Sequence, residues 1–202
     1  MPSALIVFET TDGQTARIAR SVADRLGALG VHVDLLRARD ALAADPAGYD
    51  GVIVAASIHA HRYQRATIRW AREHAATLAT RPTAFLTVCL AVLEDSDKSR
   101  RELQAIKERF VRLTNWKPLQ FHDVAGALLY TRYGALKRWA MRRIAAKAGG
   151  DVDTSRDYDY TDWADLQRFV ARFYTTLQPA LPLTPPHLSE LLPTPCVLVG
   201  AA

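Results

Sequence analysis

Six residues near the amino terminus, Thr10-Thr11-Asp12-Gly13-Gln14-Thr15, set three hydroxyls, a glycine and consecutive backbone N–H groups between an apolar run and a helical pattern. That set suits one terminal phosphate: hydroxyls and amides donate to the anion, and Gly13 lets the backbone close around it. Asp12 would point away from the phosphate or cap the helix. A plain strand-to-helix turn with Thr11 or Asp12 as N-cap is the alternative reading. The chain has neither the glycine fingerprint of a dinucleotide site nor the lysine-bearing loop of a triphosphate site.

Other chemistry-bearing residues are few. His59 and His61 lie in Ala56 to Tyr63, and are the imidazoles placed to hydrogen-bond a ligand or move substrate protons. Cys89 and Cys196 have no metal-ligand spacing, and Cys89 sits in the apolar stretch Ala84 to Leu93, where a cysteine behaves as a small hydrophobe. A reducing cytoplasm fits that usage. No carboxylate dyad or activated nucleophile stands out, and no metal site is expected.

The elements that would position these residues alternate. Ala4 to Phe8 reads as a strand buried on both faces, followed by a helix carrying Ile18, Val22, Leu26 and Leu29 and ending at Gly30. Val31 to Leu36, Asp50 to Ser57 and Thr83 to Leu90 read as further strands, and Asp123 to Tyr130 as a fifth. Helices are expected over Tyr63 to Leu78, around Leu103, Ile106, Phe110 and Leu113, and from a Thr161 cap through Trp163 to Leu177. Parallel strands need long crossovers and hide both faces, so the class is α/β with a doubly wound five-stranded parallel sheet. The loop Thr10 to Thr15 then lies where such sheets bind ligands, beyond a strand's carboxyl end. One domain, residues 1–178, carries an inserted segment, 131–159, with a helix from Gly134 to Ala148; a Pro-rich tail, 179–202, follows.

Charge is regional. Lys98 to Lys147 holds thirteen Lys or Arg against Glu102, Glu108 and Asp123, a local balance of +10 in a chain of net charge +5, so the remainder is acidic. Such a block meets nucleic acid, an anionic membrane or an acidic ligand, or is simply a solvated face. On the insert helix Ala140, Met141, Ile144, Ala145 and Ala148 share one arc with Lys137, while Trp139 lies among Arg138, Arg142 and Arg143, an imperfect amphipathic pattern. The start lacks a secretory pattern and no apolar stretch approaches the ~20 residues of a spanning helix, so membrane contact is expected to be peripheral.

The spacing Thr-x-x-Gly-x-Thr just after the first strand resembles the phosphate loop of flavodoxin-like proteins, whose ligand is FMN. In that fold the flavin ring lies between the loops after the third and fourth strands, here Ala56 to Tyr63 and Cys89 to Ser99. The resemblance implies cofactor contacts from Thr10, Thr11, Asp12, Gly13, Gln14, Thr15, Ser57, Ile58, His59, Ala60, Cys89, Leu90 and Ala91. The second loop lacks the aromatic ring that many flavodoxins stack on the flavin, which argues against a plain electron carrier.

Further on, Ala125 to Leu128, Tyr130 with Tyr133, the basic run Lys137 to Lys147, Gly149-Gly150 with Asp153-Thr154, and Tyr160 to Trp163 resemble the menaquinone-dependent protoporphyrinogen IX dehydrogenases. Asp12 to Thr15, Ala56 to Ile58 and Asn115 to Pro118 match as well, and the likeness runs over about residues 4 to 178. It is poorest over Leu93 to Leu103. The resemblance implies six-electron oxidation of protoporphyrinogen IX in heme biosynthesis, with FMN passing electrons to menaquinone or ubiquinone at the cytoplasmic face of the inner membrane. It also implies substrate or membrane contacts from Tyr130, Arg132, Tyr133, Lys137, Arg138, Trp139, Arg142 and Arg143, with a homo-oligomer possible and no nucleic-acid partner. The competing expectations are an electron carrier or NAD(P)H:quinone reductase of the same fold, and a basic module that binds nucleic acid.

Overall fold

A computed structural model describes residues 1–178 except 42, 95, 148 and 149, together with the backbone but not the side chains of Lys137, Ile144 and Lys147. Cys196 and the Pro-rich tail, 179–202, lie outside the described residues, as do Ala148 and Gly149.

Five parallel strands form one sheet: β1 (Ser3–Glu9), β2 (His32–Arg37), β3 (Gly51–Ser57), β4 (Thr83–Cys89) and β5 (Gln120–Ala125), in the order 2-1-3-4-5. The three interior strands, β1, β3 and β4, are the most apolar because both their faces are covered; all seven β3 residues are buried. On one face α1 (Gln14–Ala28) and α6 (Trp163–Leu177) bring Ile18, Val22 and Leu26 against Phe169, Val170 and Phe173. On the other, α2 (Arg65–Glu73), the single turn α3 (Ala75–Leu78) and α4 (Asp97–Thr114) bury Trp70, Leu78 and Phe110 against Phe85 and Trp116. Gly51 shows how tight the first face is, since a Cβ there would lie 2.3 Å from Leu177 Cδ2.

The helix expected over Tyr63 to Leu78 is two elements, broken at His74, whose φ of −106° and ψ of 12° leave the helical region. The cap expected at Thr161 is Asp162, which accepts from the Asp165 amide at 2.9 Å. Thr161 is otherwise engaged: its hydroxyl donates to the Ala125 carbonyl and accepts from Gln14 Nε2, both at 2.9 Å.

The fifth strand runs three residues earlier than the apolar pattern indicates. Gln120, Phe121 and His122 pair with Ala84, Phe85 and Leu86 at a sheet edge, where polar side chains are tolerated. The chain leaves the sheet at Gly126, and Ala127–Leu128 forms a separate strand, β6, antiparallel to β7 (Tyr158–Asp159). The apolar run continues past the sheet because Leu128, Leu129, Tyr130 and Tyr133 build a third cluster with Ala145 of α5 (Ala135–Lys147). That cluster sets the insert over the carboxyl ends of the strands.

Candidate functional site

At the end of β1 the chain turns through Gly13, whose φ of 102° lies in the left-handed region that favours glycine. Gly13 itself is the N-cap of α1, in place of the Thr11 or Asp12 considered above. The Thr10 hydroxyl accepts from the Gly13 amide at 2.9 Å and so shapes the loop rather than the helix end. Gly13 has no side chain with which to cap α1, and the helix's first turn holds no acid. Its amino end therefore presents amides and a positive dipole end to an anion. Thr15 is 1% exposed and Gln14 7%.

Beside this loop lies a cleft of about 390 Å³. Thr10, Asp12, Gln14 and Thr15 line it from the first loop, Ser57, Ile58, His59, Ala60 and His61 from the second, and Cys89, Leu90 and Ala91 from the third. Of the expected cofactor contacts, only Thr11 and Gly13 fall outside the lining. Thr11 lies near Gln64, whose Nε2 is 3.4 Å from its hydroxyl, and Gly13 contributes through its backbone turn.

The second loop is unusually tight. His59 and Arg62 exchange backbone hydrogen bonds of 2.9 and 3.2 Å around Ala60 and His61, which both sit at positive φ, 47° and 57°. Such two-residue turns ordinarily use Asn-Gly, so strain is held here beside the cleft. Ser57 braces it: its hydroxyl lies 3.1 Å from His59 Nε2 and accepts from Gln64 Nε2 at 2.5 Å. The Gln64 side-chain oxygen is buried with no partner among the described residues. The third loop turns through a short 3-10 segment, Leu90–Leu93. Burial pushes the Cys89 thiol up to about 11, against amide hydrogen bonds from Val92 and Ala91, so it remains a thiol and no nucleophile.

Residues that pattern reasoning did not select also line the cleft: Glu102, Leu103 and Ile106 of α4, Val88 of β4, Gly126 and Ala127 at the sheet exit, and Met141 of α5. For Glu102, Leu103 and Ile106, helical spacing on α4 was the only available signal. Tyr133 enters from the insert, 5% exposed, its hydroxyl accepting from the Leu129 amide at 3.2 Å. It supplies the cleft with an aromatic ring where residues 89–99 have none.

A family model described as a flavodoxin domain matches residues 5–155. Protoporphyrinogen IX dehydrogenase (quinone) of Escherichia coli strain K12 is 33% identical over 165 residues, covering 82% of this chain and 91% of that protein. The Leishmania major protein of the same name is 31% identical over 186 residues, 92% of this chain and 78% of its own length. The chain belongs to the protoporphyrinogen IX dehydrogenase (quinone) family. Among solved structures, oxidised flavodoxin 2 from Bacillus cereus, at 15% identity, superposes with a TM-score of 0.53 over 86% of this chain and 98% of that one, a likeness of fold.

In this member of the protoporphyrinogen IX dehydrogenase family the insert is locked onto the first loop. Gln14 Nε2 donates to Asp159 Oδ1 at 2.9 Å, Arg17 pairs with Asp159 at 2.7 Å, and the Trp163 indole donates to the same carboxylate at 3.2 Å. Tyr130, Tyr133, Tyr158 and Tyr160 pack together in the insert's cluster. Tyr130 donates to the Asp151 carbonyl at 2.8 Å and Tyr160 to the Asp151 carboxylate at 2.5 Å; burial and that carboxylate raise the Tyr160 hydroxyl to about 12.

The structure divides the expected substrate or membrane contacts. Tyr130 is fully buried, and the half-buried Arg138 donates to the Tyr133 carbonyl at 3.0 Å, so both take part in the insert's own packing. Arg132 turns toward the first loop, with Nη1 3.4 Å from where a Cβ on Gly13 would stand. Trp139 is 57% exposed, beside the exposed Arg142 and Arg143, and the Arg143 guanidinium lies 5.2 Å from the Trp139 ring centre. Leu136, 80% exposed and three residues from Trp139, was not selected by the pattern. The side chain of Lys137 lies outside the described residues.

Proposed function

We propose that this chain is an FMN-dependent oxidoreductase that removes six electrons from protoporphyrinogen IX and passes them to a membrane quinone, menaquinone or ubiquinone. The observation that carries the reading is the cleft: a glycine-led helix amino end and hydroxyl loop at one side, two loop walls at the other, and a tyrosine-bearing insert closing over them, in a chain of this family.

The residues present fit FMN. Thr10, Thr15 and the amides beyond Gly13 would hold its phosphate, with the Arg132 guanidinium close by. Ser57 to Ala60 and Cys89 to Ala91 would flank its ring, and the unpartnered Gln64 oxygen marks a polar group left over near the second loop. Bound FMN supplies the two-electron and one-electron chemistry that links a reduced tetrapyrrole to a quinone. The chain's own tasks are then to bind, to orient and to handle protons. His59, positioned by Ser57, and His61 are the imidazoles of the cleft and can receive protons released by the substrate. Cys89, kept protonated by burial, adds no competing thiolate chemistry.

No helix among the described residues is long and apolar enough to cross a membrane. The exposed Leu136, Trp139, Arg142 and Arg143 supply a peripheral contact with an anionic bilayer in which the quinone is dissolved. Anaerobic incubation of the FMN-loaded protein with protoporphyrinogen IX and a quinone should generate porphyrin fluorescence. A trace no faster than the autoxidation control defeats the reading, and rapid bleaching of the flavin by NAD(P)H would favour the reductase alternative instead.

A further inference from the structure

A second cavity, of about 140 Å³, lies between α2 and α4 and shares His61 and Ile106 with the cleft. Ile68, Phe110 and Leu113 make its lining apolar, while Arg62, Arg65 and Arg109 border it with their side chains exposed. Among the described residues none of these three guanidiniums has a carboxylate within ion-pair distance. Arginines elsewhere on the same helices do find acids: Arg69 pairs with Glu73 at 2.9 Å and Arg100 with Asp97 at 2.8 Å. Three unpaired like charges around one apolar cavity repel each other, and an anion seated among them relieves that repulsion. The apolar wall excludes water from one side of such a pair and strengthens it.

An apolar ring with carboxylates along one edge meets both demands. On the reading that the substrate is protoporphyrinogen IX, whose two propionates project from one edge of the macrocycle, we propose that this cavity is the carboxylate subsite. Arg65 and Arg109 pair with the propionates, Arg62 adds to the field, and the apolar lining takes the edge of the ring. The cavity is too small for a macrocycle, so the ring itself lies over the adjoining cleft, across the shared wall of His61 and Ile106. The arginines thereby fix which edge of the substrate faces outward and discriminate against tetrapyrroles whose carboxylates are masked.

The test uses the full-length, FMN-loaded protein titrated with protoporphyrin IX and with its dimethyl ester, following porphyrin fluorescence. Arg62 stays in place because its backbone closes the His59 turn. Each of Arg65→Ala and Arg109→Ala should weaken diacid binding about tenfold, and the double variant about a hundredfold, with ester binding and FMN affinity unchanged. Arginine-to-lysine variants should recover part of the loss. Diacid affinity unchanged in the double variant, or an equal loss for the ester, overturns the subsite. Turnover of protoporphyrinogen IX separates the two readings. If the wild type binds the diacid with this arginine dependence yet does not oxidise protoporphyrinogen IX, the subsite stands and the proposed function falls. If the wild type oxidises it and the double variant keeps the same KM, the function stands and the subsite falls.

Discussion

The guanidinium of Arg132 stands over Gly13: a Cβ built on that glycine would lie 3.4 Å from Arg132 Nη1. An insert that follows the last sheet strand thus delivers a cation to the loop that follows the first. Arg132 has no carboxylate partner among the described residues, so its charge is available to an anion at the α1 amino end. Arg132→Ala should weaken FMN binding about tenfold, the loss of one charge-assisted contact, and leave riboflavin binding unchanged because riboflavin has no phosphate. Flavin fluorescence titrations measure both. Equal losses for the two flavins, or none, would remove Arg132 from the phosphate site.

Gly13 answers to a different constraint. At φ 102° an L side chain is strained, while its Cβ would meet Arg132 Nη1 at 3.4 Å, in ordinary contact. Gly13→Ala should cost about 1–3 kcal/mol of stability and Gly13→Val more, with FMN affinity falling in both. Thr15→Ala removes a buried hydroxyl without backbone strain, and should lower FMN affinity while shifting the urea midpoint little. Unchanged flavin affinity in both the Gly13 and Thr15 variants would mean the phosphate lies elsewhere.

The sheet was legible because β3 and β4 are covered on both faces and read as uninterrupted apolar runs. β5 was legible only in part: its edge position admits Gln120 and His122, and the apolar residues after Gly126 belong to another cluster. The three loops that line the cleft were named by the resemblance to the flavodoxin-like fold, which the order of strands and helices supports. What sequence could not show is conformation and direction, which depend on geometry without a local signature. Ala60 and His61 hold left-handed turn positions with no glycine to announce them. Tyr133 and Arg132 reach the cleft and the first loop through the short turn Tyr130–Arg132, and no periodicity marks that direction. Tyr130 and Arg138 share the composition of a contact surface, yet take part in the insert's own packing because the insert needs its own small core.

Glu9 is a third case of hidden geometry, a carboxylate 1% exposed at the end of β1. Burial alone would raise it, but the Arg39 hydrogen bond and charge, the Thr10 amide and Arg37 outweigh that and hold its pKa below the ordinary 4.5. Arg39 Nη2 lies 2.7 Å from Glu9 Oε1 and Arg37 Nη2 3.3 Å from the same oxygen. A depressed folded pKa stabilises fully above the unfolded value and loses that contribution as pH falls through the folded one. Urea midpoints should therefore drop below about pH 4.5 more steeply in the wild type than in Glu9→Gln, the two curves converging toward acid. Parallel curves from pH 7 to 3 would show that Glu9 has no such linkage.

The membrane contact proposed for α5 rests on an exposed apolar pair rather than on an amphipathic helix. Leu136 and Trp139 lie three residues apart, on neighbouring positions of one helical face, and Arg143 covers the indole from the next turn. Against an anionic bilayer the ring and leucine enter the headgroup boundary while Arg142 and Arg143 remain at the charged surface, each worth about 1 kcal/mol there. Replacing both Leu136 and Trp139 by alanine should forfeit about 2 kcal/mol of apolar burial, a fall of about thirtyfold in partitioning onto phosphatidylglycerol-containing vesicles. Replacing Arg142 and Arg143 by alanine should instead flatten the salt dependence of that partitioning. Both effects are read by vesicle co-sedimentation of the full-length protein across a salt series. If neither pair changes the bound fraction, α5 does not face the membrane, and quinone access must be sought on another surface of the cleft.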